Sequence, residues 1–385
     1  MKSFYSWKPE AYVLAPYSFE NGVMVSPLYD TPAFRAELET WFEPLGLAWK
    51  WQPVTLETLS QVIRKLTERN KTTRVVAVNL CDGDEISGTP GLSVVRALER
   101  AKLPFTGADT VFYEISTSKL TMKECFAEND VPTAPYMRIT NPAEDILRAA
   151  RLIDYPFLIK PDVSAASYGI GLRSMVRNKG AVAAQIDYVS NGEHREFFVT
   201  NGMFAEKFIA GPEFTALVVA DKSESEGLRV YPVAERVFHS ALPAEEKFLS
   251  YDRYWAFYQE ETPPPPGEPF YSYQMARAEI QDKLSDIARR AFRSVQGRGY
   301  GRVDMRMDAA SGEIFVLEVN ANCGLSSDED SSIGRILQIC EQPIHVLIEE
   351  ILRDAFDRAF NSKKGRRKKP HEDMRSPAVI RRNVY

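Results

Sequence analysis

The stretch Gly301–Asn320 constrains the fold more than any other part of the chain. Two β-patterned runs, Gly301–Met307 and Ile314–Asn320, flank the turn-forming segment Asp308–Glu313, the pattern of a hairpin. Residues two apart on a strand share a face, so Arg302 lies with Asp304 and Glu318 lies with Asn320. With the turn centred near Ser311, Asp304 falls opposite Glu318, and Arg302 opposite Asn320. Two carboxylates, an amide oxygen and a guanidinium therefore converge. Val303, Met305 and Val319 between them require one hairpin face to be buried, and unpaired carboxylates near a core are costly. A cation would remove that cost. The donors are hard oxygens with no His or Cys, which selects Mg²⁺ or Mn²⁺ over zinc. An exposed cross-strand ladder of ion pairs is the alternative reading.

The remaining sequence is that of a multidomain globular protein. At 385 residues, the chain exceeds one ordinary core and suggests two or three domains. Its net charge of −5 averages an acidic body and a basic tail: nine Lys or Arg against two acids make the last 25 residues +7 and leave −12 elsewhere. An acidic body argues against a broad nucleic-acid-binding face, although the tail (Gly365-Arg366-Arg367-Lys368-Lys369-Pro370) could touch an anionic surface, carry a nuclear address or simply solubilise. Cys81, Cys125, Cys323 and Cys340 are widely spaced, so neither a disulfide framework nor a zinc site is indicated. No signal peptide and no membrane-length apolar run is read, and the expectation is a cytoplasmic protein.

Strands and helices alternate in the first third, as in a parallel α/β layer. Strands are expected at Tyr12–Ala15 and Arg74–Leu80, and helices at Pro32–Phe42, Leu56–Asn70, Gly91–Lys102 and Ser118–Asn129. The acidic loop at Cys81–Glu85 follows a strand, where open parallel sheets bind ligands; a solvated turn is the alternative. Near Tyr155 the texture becomes antiparallel, with strands at Phe157–Pro161, Leu172–Val176, Phe204–Ile209 and Phe214–Val219. Ser164–Gly171 is a small-residue loop whose backbone could approach an anion. Ala244–Pro269 reads as irregular, either a loop near a site, with Tyr251 as a substrate contact, or a surface insertion. Met275–Val295 reads as the clearest helix.

The order of these motifs resembles the ATP-grasp ligases, and among them the D-alanine–D-alanine ligase-like group. The carriers are Arg302-Val303-Asp304 with Leu317-Glu318-Val319-Asn320 and the Gly324–Ser327 turn. Preceding them are Glu206-Lys207-Phe208-Ile209 with Gly211–Thr215, Leu158–Pro161 with Ser167-Tyr168-Gly169, and Ser118-Lys119-Leu120 with Lys123. The resemblance spans about Val75 to Leu352. It implies an α/β (α+β) ATP-grasp fold behind an amino-terminal Rossmann-like domain. The implied divisions are 1–115, a central subdomain 116–205, a carboxy-terminal subdomain 206–360 and a basic disordered tail 361–385.

It also implies roles. Lys119 and Lys160 would neutralise ATP phosphates, and Ser167 would cover the transferred phosphoryl group. Glu206 with the backbone of Lys207 and Ile209 would hold adenine, and Glu213 the ribose. Asp304, Glu318 and Asn320 would hold two Mg²⁺ (or Mn²⁺) ions, and Arg302 would stabilise the oxyanion. The implied activity joins a small carboxylate to a small amine through an acyl phosphate, and the implied assembly is a homodimer. An ATP-grasp kinase with a non-amine acceptor and a non-catalytic ATP-binding scaffold are the alternatives. Three departures from the family pattern concern substrates. Ala15–Glu20 lacks its Gly-Gly-x-Ser-x-Glu, Asp82-Gly83 replaces its His-Gly, and Asp328-Glu329-Asp330 follows Ser326-Ser327 where a serine would receive the acceptor's carboxylate. The expectation is a different acceptor, cationic, neutral or differently oriented, contacted by Asp82, Ser326, Asp328 and Glu329.

Overall fold

The computed structural model describes residues 9–361 apart from 21, 27–28, 84, 86–87, 165–166, 168, 193–194 and 256–260. The basic tail beyond Asn361 therefore lies outside the described residues, as do Asp84, Ala165, Ala166 and Tyr168 of the two loops.

The chain opens with β1 (Glu10–Pro16), a small hairpin of β2 (Ser18–Glu20) and β3 (Val23–Val25), α1 (Pro32–Phe42), β4 (Trp49–Val54), α2 (Leu59–Arg69), β5 (Val75–Asn79), α3 (Leu92–Ala101), α4 (Thr110–Thr117) and α5 (Lys119–Glu128). β4, β1 and β5 form a parallel sheet in that order. Helix α1 starts and stops where expected because its signals are local: the Thr31 hydroxyl accepts from Phe34 N, and Pro32 occupies the first helical position. β4 has no counterpart in the sequence reading. It contains Pro53, tolerated because β4 is an edge strand.

A second sheet follows, built from β6 (Tyr136–Ile139), β7 (Phe157–Pro161), β8 (Met175–Val176) and β9 (Met203–Lys207), with helices α6 (Pro142–Leu152), α7 (Val182–Asn191) and α8 (Arg195–Asn201). Its order is β6-β9-β7-β8, antiparallel throughout. The strand expected over Leu172–Val176 is a 3-10 turn followed by the two-residue β8.

The third sheet contains β10 (Glu213–Ala220), β11 (Leu228–Val230), β12 (Ala234–Phe238), β13 (Tyr271–Met275), β14 (Tyr300–Met307) and β15 (Ile314–Ala321), in the order β13-β12-β10-β14-β15 with β11 beside β10. The short helix α9 (Tyr251–Trp255) interrupts the segment read as irregular. Helix α10 (Ala278–Ser294) begins three residues later than expected because Met275 ends β13. Helices α11 (Ser332–Ile339) and α12 (Ile344–Asn361) complete the chain.

The first and third sheets share cores. Tyr12 and Leu14 of β1 belong to the same buried cluster as Phe214, Ala216 and Val303, while Ala11 and Val13 belong with Leu217 and Val219. The second sheet has its own core, where Phe157, Ile159 and Ala205 pack with residues of α6, α7 and α8. Its opposite face, carrying Leu158, Lys160 and Glu206, borders the candidate site.

Candidate functional site

The hairpin adopts the register expected from its spacing: Arg302 pairs with Asn320 and Asp304 with Glu318, with a bulge just after Asp304. Arg302 Nε donates to Asp304 Oδ1 at 3.0 Å and Nη2 donates to Oδ2 at 2.8 Å. Thr215 Oγ1 donates to Asp304 Oδ1 at 2.9 Å. The Asn320 amide donates to Asp304 Oδ2 at 3.0 Å and to Glu318 Oε1 at 3.3 Å. Burial would raise the Asp304 carboxyl, but the Arg302 guanidinium, assisted by Arg236 and Thr215, holds it below its ordinary value. As a donor set, two carboxylates and an amide joined within hydrogen-bond distance suit a hard divalent cation.

Facing this hairpin is a cationic group from the second sheet and α5. Lys160 Nζ donates to Glu206 Oε2 at 2.5 Å, and Lys123 pairs with Glu206 Oε1 and donates to Thr133 Oγ1 at 2.8 Å. Burial works against ionisation of Glu206, but the two lysines win and hold its pKa at about 2. Burial also lowers the Lys123 ammonium, with Glu206 opposing that effect. Lys119 approaches Glu318 Oε2 at 3.8 Å and donates to Ser164 O at 2.9 Å. It is positioned by Asp162, which accepts from Ser118 Oγ and from Leu120 N. The cationic and anionic halves therefore meet at the Lys119–Glu318 pair.

The structure places the residues read as nucleotide contacts around these halves. Glu206 turns its carboxylate to the lysines. Lys207 is partly exposed, with Nζ 3.3 Å from Asp154, and its backbone N donates to Pro135 O. Ile209 is buried in the connection to β10. That connection needs Gly211, because a Cβ there would lie 2.1 Å from Met307 O at a φ of +151°. Glu213 is buried against Arg236, whose Nη2 donates to the Tyr273 hydroxyl at 2.7 Å, and Arg306 lies 4.0 Å from its other oxygen. Ser167 Oγ donates to Leu249 O at 3.1 Å, and Tyr251 N donates to Ile170 O at 2.8 Å, so the Tyr251 segment packs over the small-residue loop.

At the carboxyl edge of the parallel sheet, Asp82 accepts from the Tyr29 hydroxyl at 3.1 Å, and burial pushes its carboxyl up to about 6. A Cβ on Gly324 would sit 3.9 Å from that Tyr29 hydroxyl, so the turn after β15 borders the same edge. In that turn Ser326 and Ser327 donate to Glu37 of α1. Asp328 and Glu329 are exposed: Asp328 Oδ1 accepts from Asp330 N at 2.9 Å, and Glu329 lies 3.9 Å from Arg335.

Glu37, Thr215, Arg236 and Asp162 were not singled out by sequence, and Lys123 entered only as part of a motif. Two signals were available. Thr215 is two residues from Glu213 on one strand face, and Lys123 is one helical turn beyond Lys119. Glu37 carried none, since its partners are 289 and 290 residues away.

A family model described as "D-ala D-ala ligase C-terminus" matches residues 125–333. The D-alanine–D-alanine ligase of Xanthomonas axonopodis pv. citri is 26% identical over 254 residues, which cover 65% of this chain and 69% of that protein. The ligase of Desulforudis audaxviator is 28% identical over 230 residues, 60% of this chain and 66% of that protein. Among solved structures, the D-alanine–D-alanine ligase of Bacillus anthracis complexed with ATP aligns over 92% of this chain and 99% of its own, with a TM-score of 0.63 and 15% identity.

Proposed function

The chain belongs to the D-alanine–D-alanine ligase C-terminal family and has the ATP-grasp fold, and from that premise we propose an ATP- and Mg²⁺-dependent ligase that joins a small carboxylate to a small amine through an acyl phosphate. The observation that carries this reading is the 3.8 Å approach of Lys119 to Glu318, where a cationic surface suited to phosphates meets an anionic surface suited to a metal.

Each side chain then has a task. Lys119 and Lys160 bind the phosphates, and Glu206 fixes the position of Lys160 while remaining ionised. Asp304, Glu318 and Asn320 hold Mg²⁺, which when bound neutralises phosphate charge. Arg302 offers a fixed positive charge to the oxyanion that develops when the amine attacks. Burial works against the charge on Arg302, but the Asp304 carboxylate outweighs it and keeps the guanidinium protonated. Ser167 of the small-residue loop covers the transferred phosphoryl group, and the segment at Tyr251 packs on that loop and limits access of water. Glu213, Lys207 and Ile209 line the nucleoside end.

The same reading divides the chain at 115, 205 and 360 and places the protein in the cytoplasm as a homodimer, which size-exclusion chromatography tests. No helix among the described residues is long and apolar enough to cross a membrane, and all four cysteines are free.

The decisive experiment is ADP release by Glu318→Gln. Glu318 is partly exposed and packs no core, so the variant should fold as the parent does and lose at least about 100-fold in turnover, an effect the size of losing one electrostatic contact in the transition state. Turnover at the parent rate would sink the metal assignment.

A further inference from the structure

The turn that follows β15 gathers hydrogen-bond donors on a single carboxylate, and the protein itself supplies that carboxylate. Ser326 Oγ donates to Glu37 Oε2 at 2.7 Å. Ser327 donates to Oε1 twice, from its backbone N at 2.5 Å and from Oγ at 2.9 Å. The Trp41 indole N–H lies 3.3 Å from the same oxygen. An ionised carboxyl accepts about four hydrogen bonds, and here four donors converge on one carboxylate, three on Oε1 and one on Oε2. Helix α1, which carries Glu37, is pinned to this edge by aromatic packing: Tyr29 meets Phe34 edge-on at 5.5 Å, and Phe34 meets Trp41 at 5.7 Å.

The cradle lies beside the substrate edge. The turn begins just past the Asn320 end of the hairpin, and Gly324 approaches the Tyr29 hydroxyl that bonds Asp82. The flanking charges are mostly acidic. Asp328, Glu329 and Asp330 are exposed on the turn, Arg35 is engaged by Asp30 and the Trp51 ring, and Arg335 by Gln338 and Glu329.

We infer that Glu37 is a specificity-determining residue: it fills the carboxylate cradle at the acceptor edge and directs the enzyme to an amine acceptor that has no carboxylate of its own. This inference rests on the ligase reading above. An incoming α-carboxylate would have to displace Glu37 and then face Asp328 and Glu329, whereas an alkylamine or diamine meets a surface of opposite sign.

Two measurements on the full chain test it. In the first, sodium acetate is titrated while the Ser327 amide resonance is followed. Acetate should shift that resonance in Glu37→Ala at least tenfold more tightly than in the parent protein, because only the variant leaves the donors vacant. Equal affinity in the two proteins, or no shift in a variant that melts at the parent temperature, overturns the assignment.

The second needs no variant. ADP release and product mass are measured with ATP, Mg²⁺ and D-alanine as carboxylate, against the acceptor pairs ethylamine with D-alanine and cadaverine with D-lysine. The amine lacking a carboxylate should be preferred at least tenfold in each pair. Preference for the amino acids overturns the role of Glu37 and leaves the ligase reading standing. Absence of ADP release with every acceptor counts against D-alanine as the carboxylate, and the acetate titration then decides the role of Glu37 alone.

Discussion

The two surfaces that meet at the cleft manage buried charge in opposite ways. On the second sheet, one carboxylate sits between two ammonium groups, and its Lys123 side is closed to solvent: the Lys123 and Glu206 side chains are 1% and 3% exposed, while Lys160 is 14% exposed. On the hairpin, one guanidinium pairs with Asp304 and the Asn320 amide joins Asp304 to Glu318, and the charges stay within reach of a ligand, with Arg302 and Glu318 26% and 28% exposed. The first arrangement behaves as part of the framework of its subdomain, and the second as a site whose charges can change partners. Removing one charge should have different consequences on the two surfaces.

The largest effect is expected from Glu206→Gln. It leaves Lys123 and Lys160 facing each other without a counter-charge, and breaking a buried pair in this way costs on the order of 3–5 kcal/mol. Urea unfolding measures it. A loss below about 1 kcal/mol would mean that the lysines relax to solvent and that the closed description of this surface is wrong. The pH dependence has a defined sign. Glu206 is depressed from 4.5 to about 2 in the folded protein, so it contributes stability that is complete above pH 4.5 and disappears as pH falls toward 2. The variant should lack that part of the acid slope.

A smaller, divided effect is expected on the hairpin. Asp304→Asn strips Arg302 of its charged partner and weakens the bond from Thr215, and should cost about 1–3 kcal/mol. Glu318→Gln touches a partly exposed group whose nearest cation is 3.8 Å away, and should cost less than about 1 kcal/mol. Both should impair turnover. Equal destabilisation by the two would erase the distinction between the closed and open surfaces.

These contrasts also separate what sequence could reveal from what it could not. The Arg302–Asn320 and Asp304–Glu318 pairings were readable because strand alternation and one short turn determine them, and each step is local. The boundaries of α1 were readable for the same reason, through Thr31 and Pro32. The partnership of Glu206 with Lys123 and Lys160 was not: it depends on α5 packing against β7 and β9, and a glutamate beside Lys207 looks locally like any polar strand end. Helices α6, α7 and α8 have no counterpart in the sequence reading, although Asn141-Pro142 marks the start of α6. β4 escaped because Pro53 argues against a strand unless its edge position is known. Glu37 is the extreme case, since only the assembled fold brings α1 to Ser326.

A fourth carboxylate, at the edge of the parallel sheet, sharpens the comparison. Asp82 is bonded by the neutral Tyr29 phenol where Glu206 has lysines, and its carboxyl moves the other way, from 3.8 up to about 6, through burial. A raised folded value favours the protonated acid. The contribution is therefore fully present below pH 3.8 and is lost as pH rises through about 6. Asp82→Asn carries no charge to desolvate and keeps an oxygen for Tyr29 to donate to. It should match the parent near pH 4 and exceed it by about 1–2 kcal/mol at pH 7, a difference visible in paired thermal melts. The same offset at both pH values would trace the effect to the Tyr29 hydrogen bond. A parent protein more stable than the variant at pH 7 would mean that a cation reaches Asp82 and that the charge contrast between the two surfaces does not extend to this edge.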